Sequence, residues 1–210
     1  MEERLVQRSC EDFSRDVASR VSSPAGGAVV AYAASLGVAL ASMAAEFTLG
    51  KSRYAAVEAE VRQALEGLER IRVRLVELVD EDARALEPLT RAYALPVADP
   101  LRAEALEEAG RGACAVPLEL MGLVGRALPW LELLGERGSR LLVSDVGCAA
   151  ALCRASLEAA SLNVYVNTRS LARRDVADEL DASCDALLAE WVPRAGALLQ
   201  SVESTLRERG

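Results

Sequence analysis

The chain contains no histidine. The commonest general base and the commonest zinc ligand are therefore missing. Acid–base chemistry must fall to carboxylates, Lys, Tyr or Cys, and no metal or cofactor is expected. Aromatic residues are scarce, at 4% of 210 residues, which disfavours strand-rich folds. The dominant Ala, Leu, Glu and Arg are good helix formers. Basic residues are outnumbered, 24 against 32 acidic ones, giving a net charge of -8. No basic stripe is available to neutralise phosphates, so nucleic acid is excluded as an expected partner. There is no CxxC spacing among Cys10, Cys114, Cys148, Cys153 and Cys184. An odd, scattered set reads as free thiols in a reducing, cytoplasmic setting, each packed as a small apolar residue.

The charged stretch Met1 to Arg8 is not a signal peptide. One long run, Ala28 to Ala45, has no charge. It is built from Ala, Ser and Gly with few large apolar side chains, and no second span is evident. A buried central helix is expected there, not a membrane crossing. Residues 1–210 fit a single domain with a substantial core.

Helical periodicity organises the chain. A first helix is expected from Cys10 to Val21, with Ser9 and Asp12 as a capping box. The run Ser22-Ser23-Pro24-Ala25-Gly26-Gly27 breaks it. The uncharged helix then runs to about Leu49, with Gly50 as its stop. A long helix follows over 54–93, and another over 101–134. Kinks are expected at Pro88, Pro117, Pro129 and Pro193. Ser144 and Asp145 are read as the N-cap and first turn of a helix reaching Tyr165. Asn167 to Arg174 is read as a connection before a last helix over 175–207. The fold class is all-α, an up-and-down helical bundle with long kinked helices.

Asp82 is the most informative residue. It falls on the apolar stripe Leu75, Leu78, Val79, Leu86 and Leu89, while Asp80, Glu81 and Arg84 lie off it. A core-facing carboxylate is costly unless paired, hydrogen-bonded or protonated. Burial would raise its pKa and suit a proton shuttle. A buried ion pair, or a cap on another helix, fits the pattern equally well. Gly26 and Gly27 open the uncharged helix, where a backbone can approach a ligand and free amides attract an anion; an ordinary turn reads the same way. Asn163 and Asn167 lie one helical turn apart and offer donors and acceptors to a heterocycle, or simply finish a helix. Lys51 and Arg53 suit a polyanionic tail or a helix C-terminus.

Taken together, these segments resemble the cyclodeaminase domain of formiminotransferase-cyclodeaminase and the bacterial methenyltetrahydrofolate cyclohydrolases. The resemblance runs from Phe13 to the final helix. It rests on Pro24-Ala25-Gly26-Gly27-Ala28, Gly50-Lys51-Ser52-Arg53-Tyr54, Val79-Asp80-Glu81-Asp82-Ala83, Leu95-Pro96, Val116-Pro117-Leu118, Ser144-Asp145 and Asn163-Val164-Tyr165-Val166-Asn167. It implies a homodimeric bundle that binds a tetrahydrofolate substrate near the subunit interface, with Asp82 as the acid–base residue. Gly26, Gly27, Lys51, Ser144, Asp145, Asn163 and Asn167 are the implied substrate contacts. The implied reaction is conversion of 5-formiminotetrahydrofolate to 5,10-methenyltetrahydrofolate and ammonia. The alternatives are hydrolysis of the methenyl ring to 10-formyltetrahydrofolate, or a non-catalytic folate-binding or interaction module. Ala25 and Ala28 depart from the family's Gly and Ser. A glycine held at positive φ would not easily become alanine, so the loop leaves room for altered preference or lost activity.

Overall fold

The computed structural model describes residues 4–208, and those residues contain helices and no strand. Seven α-helices follow in order: α1 (Cys10–Val17), α2 (Gly26–Glu46), α3 (Glu58–Ala94), α4 (Arg102–Ala113), α5 (Ala115–Arg137), α6 (Val143–Thr168) and α7 (Arg174–Arg207). The expected all-α architecture is observed. The oxygen of Ser9 accepts the Asp12 amide at 3.0 Å, closing the expected capping box of α1. That helix stops at Val17, earlier than its sequence pattern suggests, because the exposed residues beyond it have nothing to pack on. Past the end of α2, Gly50 takes φ 70°, the left-handed geometry that favours glycine.

Two boundaries differ from expectation for local reasons. The 101–134 segment is two helices, α4 and α5, meeting at the buried Cys114. Asn167 is not in a connection but inside α6, which continues to Thr168. Proline does not break the longer helices: α3 runs through Pro88, α5 through Pro129 and α7 through Pro193. Pro117 sits in the first turn of α5, where a missing N–H costs little.

α2, uncharged up to Glu46 at its end, is indeed a packed helix, touching α3, α5 and α6. Its 18-residue stretch of highest mean hydropathy, 1.8, is 50% buried. A second stretch, over 102–137, also reaches 1.2 and is 61% buried, correcting the expectation of a single apolar run. Its hydropathy arises because Glu119 is the only charge between Arg111 and Arg126. The thiols divide: Cys114, Cys153 and Cys184 are buried as expected, whereas Cys10 and Cys148 are exposed and pack no core.

α2 and α6 lie side by side and run in opposite directions. Gly26 at the start of α2 faces Asn163 near the end of α6, and Gly37 faces Ala149, Leu152 and Cys153. A Cβ on Gly37 would lie 3.1 Å from the Leu152 Cβ, so the missing side chain sets this close approach. α3 and α5 form the layer beneath, and α7 flanks α6. The opposite, outer side of the α2–α6 layer is apolar and only partly covered. On α2 it carries Val29, Ala33, Leu36, Leu40, Met43 and Phe47, spaced alternately by four and three. On α6 it carries Cys148, Leu152, Ala155, Ala159, Leu162 and Val166 with the same spacing. Leu162 and Val166 are 67% and 63% exposed, and Leu36 and Phe47 are 46% and 47% exposed.

Candidate active site

The start of α2 is built against Asp82. Desolvation raises the Asp82 pKa above its ordinary value, and a backbone hydrogen bond from Ala28 partly offsets the rise. The side chain is only 7% exposed, so the expectation that this carboxylate turns inward holds. No cation is among the causes of its shift, which removes the ion-pair reading. Its neighbours are different. Asp80 accepts Arg4 at 2.9 Å and the Leu5 amide at 2.6 Å, and Glu81 accepts Arg74 through two bonds. Those two carboxylates hold the surface together, whereas Asp82 is held in reserve.

The cap reading is correct in geometry but incomplete. One side of the carboxylate engages the amide end of α2, where the helix dipole favours negative charge. The other oxygen, Oδ2, is buried without a hydrogen-bond partner. An unsatisfied buried acceptor costs about 1–3 kcal/mol. A proton or a substrate N–H on that oxygen would relieve it.

Gly27 makes the approach possible. A Cβ there would lie 2.5 Å from Asp82 Cγ and would overlap the carboxylate oxygens. Gly26 is exposed, and a Cβ on it would meet Asn163 Oδ1 at an ordinary 3.7 Å. Asn163 Nδ2 bonds back to Ala159 O at 3.3 Å, so its carbonyl oxygen is the atom turned toward α2. Asn167 is buried and donates to Asn163 O at 2.8 Å. It acts on its own helix, and its amide supports Asn163. The two successive glycines that open α2 thus lie against different groups, Gly26 against Asn163 and Gly27 against Asp82. A separate cavity of about 690 Å³ lies along the Asp80, Glu81 and Arg84 side of α3 and does not include Asp82.

The remaining expected contacts are elsewhere. Lys51, Ser144 and Asp145 lie at the other end of the α2–α6 layer. Eighteen residues of α6 separate Asp145 from Asn163, which is about 27 Å of helix. Within one chain they cannot share a ligand with Asp82 the size of a single heterocycle. Ser144 is also not the N-cap of α6. A short 3-10 turn, Arg140–Leu142, runs directly into the helix, Leu142 takes the cap position, and the exposed Ser144 falls inside the first turn. Lys51, the only lysine in the chain, lies 5.6 Å from the Phe47 ring centroid, and Arg53 lies 4.7 Å from that of Tyr54. The Tyr54 hydroxyl accepts the Arg140 amide at 3.2 Å. Lys51, Arg53 and Arg140 have no ion-pair partner among the described residues. The sequence pattern singles out the segment through Tyr54 but not Arg140, whose position is visible only once the turn before α6 meets the segment after α2.

Against this geometry, the family described as formiminotransferase-cyclodeaminase matches residues 9–186. The chain belongs to the formiminotransferase-cyclodeaminase family. Over 203 residues it is 34% identical to a methenyltetrahydrofolate cyclohydrolase of Methylorubrum extorquens, covering 95% of this chain and 96% of that protein. It is 32% identical to the formimidoyltransferase-cyclodeaminase of Mus musculus over 207 residues, which is 97% of this chain but 38% of the larger protein. A crystal structure of formiminotetrahydrofolate cyclodeaminase from Thermotoga maritima superposes with a TM-score of 0.89 at 27% identity, covering 97% of this chain and 100% of that one. The chain is thus a member of an enzyme family of folate one-carbon chemistry.

The departure at Ala25 loses its force in the structure. Ala25 caps α2 with φ -108° and ψ -172°, an extended geometry that any residue adopts. The left-handed geometry that would have required glycine does not occur there. Ala28, the second departure, is fully buried and contributes through its amide. Restoring the family residue by Ala25→Gly is therefore expected to leave turnover within about twofold, since both residues adopt this extended cap geometry and the Ala25 side chain makes no capping hydrogen bond. Steady-state kinetics of that variant check it.

Proposed function

We propose that the chain is a homodimeric cytoplasmic enzyme that closes the one-carbon ring of 5-formiminotetrahydrofolate. N10 of the substrate attacks the formimino carbon, the N10–carbon bond forms, and the carbon–nitrogen bond to the amine breaks to release ammonia. Asp82 takes the N10 proton and returns one to the departing amine. The observation that carries this reading is the buried Asp82 with one oxygen engaged by α2 and the other unpartnered. A carboxyl whose pKa is raised by burial holds and yields a proton nearer neutrality than a surface aspartate. Asn163 orients the heterocycle beside it.

Hydrolysis of the methenyl ring is a second reading with its own support. The end-to-end relative at 34% identity carries that activity in its name. Both reactions pass through a tetrahedral carbon between two nitrogens, so the same carboxylate serves either. The test follows the methenyl chromophore with purified protein. Its appearance from 5-formiminotetrahydrofolate supports ring closure, and its accelerated loss from 5,10-methenyltetrahydrofolate supports hydrolysis. No change with either substrate contradicts both.

A further inference from the structure

We infer that Asp80 is a positioning residue for Asp82: through it the N-terminal arm, residues 4–8, clamps the start of α2 onto α3 and so sets where the Asp82 carboxyl sits. The consequence for turnover rests on the folate reading of Asp82, but the clamp is argued from the fold alone.

Asp80 and Asp82 share one turn of α3 and point about 200° apart around the helix. Asp82 is turned to α2, and Asp80 is turned to the arm. The Asp80 side chain is 12% exposed and gives both oxygens to the arm: Oδ2 accepts Arg4 Nε at 2.9 Å, and Oδ1 accepts the Leu5 amide at 2.6 Å. Bonds to an ionised acceptor are the stronger kind. The arm winds through the 3-10 turn Leu5–Gln7 and reaches α2. There Leu5 and Val6 gather with Phe13 and Tyr32 around one small gap, and the Phe13 and Tyr32 ring centroids are 5.6 Å apart. Leu5 is buried, and Tyr32 packs on the same core. The arm thus grips α3 at Asp80 and α2 at Tyr32.

The two grips bracket the hydrogen bond between Asp82 and the Ala28 amide. Tyr32 lies one helical turn past Ala28, and Asp80 lies on the turn of Asp82. The Ala28 amide falls in the first turn of α2, where an N–H has no acceptor within its own helix. The first such bond of α2 is Val29 N to Ala25 O, at 3.1 Å. The Ala28 amide therefore depends on how closely α2 lies against Asp82. This turn is also where the packed length of α3 ends, since no residue from Ala83 to Arg91 is buried. Helices open first at such ends. On the other flank Glu81 is tied through Arg74 to Glu119, which holds α3 to α5 and not to α2. The grip of the arm on Asp80 is what presses this turn toward α2.

The test compares Asp80→Ala, Asp80→Asn and Arg4→Ala with the wild-type protein. Amide hydrogen exchange followed by NMR reads the clamp without substrate, and steady-state kinetics read its consequence. In Asp80→Ala the Ala28 amide is expected to exchange at least about tenfold faster, as a local opening. Turnover is expected to fall at least about tenfold, because misplacing an acid–base group by about 1 Å costs up to a hundredfold. KM is expected to stay within about twofold, since binding contacts are untouched. Asp80→Asn still accepts the Leu5 amide and is expected to lie between wild type and Asp80→Ala in both readouts. Arg4→Ala is expected to move both in the same direction, with no further loss when combined with Asp80→Ala, because the two changes cut one contact. A folded Asp80→Ala protein with wild-type exchange at Ala28 would overturn the proposal, and so would faster exchange with undiminished turnover. If Asp80→Ala does not fold, Arg4→Ala, at a side chain already 49% exposed, decides by the same exchange criterion. A wild-type protein without turnover on either folate would remove the folate reading, while exchange at Ala28 would still decide the clamp.

Discussion

Asp82→Asn is expected to lower turnover at least about a hundredfold, the scale of a lost acid–base group, without unfolding the chain. Asparagine keeps the shape of aspartate and can still accept the Ala28 amide. It cannot take a proton. The stability effect is expected to have an unusual sign. The folded carboxyl has a pKa above its ordinary 3.8, so the folded chain binds this proton more tightly than the unfolded one. The stability gained from that proton is fully present below about pH 3.8 and is lost as pH rises through the folded value. At neutral pH the ionised, half-satisfied carboxylate is a burden on the fold. The asparagine variant should therefore melt at the same temperature or higher at pH 7, with the difference closing on acidification. Thermal melts across pH, run beside kinetics, check both parts. A variant that is inactive because it is unfolded would show the opposite melt.

Gly27→Ala carries the second large effect. The added methyl would overlap the Asp82 carboxylate, and relief requires the carboxylate or the start of α2 to shift. Overpacking of this kind costs about 1–3 kcal/mol. Misplacing a catalytic group by about 1 Å costs on the order of a hundredfold in rate. Both losses are expected in the same variant, measured by melting temperature and turnover. Gly26→Ala is the control for packing, because its methyl meets only Asn163 Oδ1 at 3.7 Å. That variant is expected to keep the wild-type melting temperature.

Much of this arrangement is legible in the residue order. The three-and-four spacing that places Asp82 with Leu75, Leu78 and Val79 is a property of the α-helix, and all four are buried. The Ser9–Asp12 box fixes the start of α1 because the interaction is local. Local rules also mislead. Ser144 looks like a cap, yet the turn ahead of it already winds helically and moves the helix start to Val143. Ala25 looks like a damaged glycine position, although its backbone makes no demand that only glycine meets. Which ends of which helices meet is a tertiary matter. The antiparallel contact of α2 with α6 brings Gly26 to Asn163 and sends Lys51 and Asp145 to the far end. No spacing in the sequence encodes that separation.

The separation changes what the candidate residues mean. Read along the chain, Gly27, Lys51, Asp82, Asp145 and Asn163 make one inventory. In space they fall into two groups at opposite ends of the α2–α6 layer, Gly27, Asp82 and Asn163 at one end and Lys51 and Asp145 at the other.

The most direct test of the account is the titration of Asp82 itself. Carboxyl carbon NMR of aspartate-labelled protein, with Asp82→Asn to assign the signal, reads its protonation in the free enzyme. The account predicts one aspartate signal that titrates above the ordinary 3.8 and vanishes in the variant. An Asp82 signal that titrates at or below 3.8 would contradict it, because a carboxylate that sheds its proton so readily is not the buried acid–base group described.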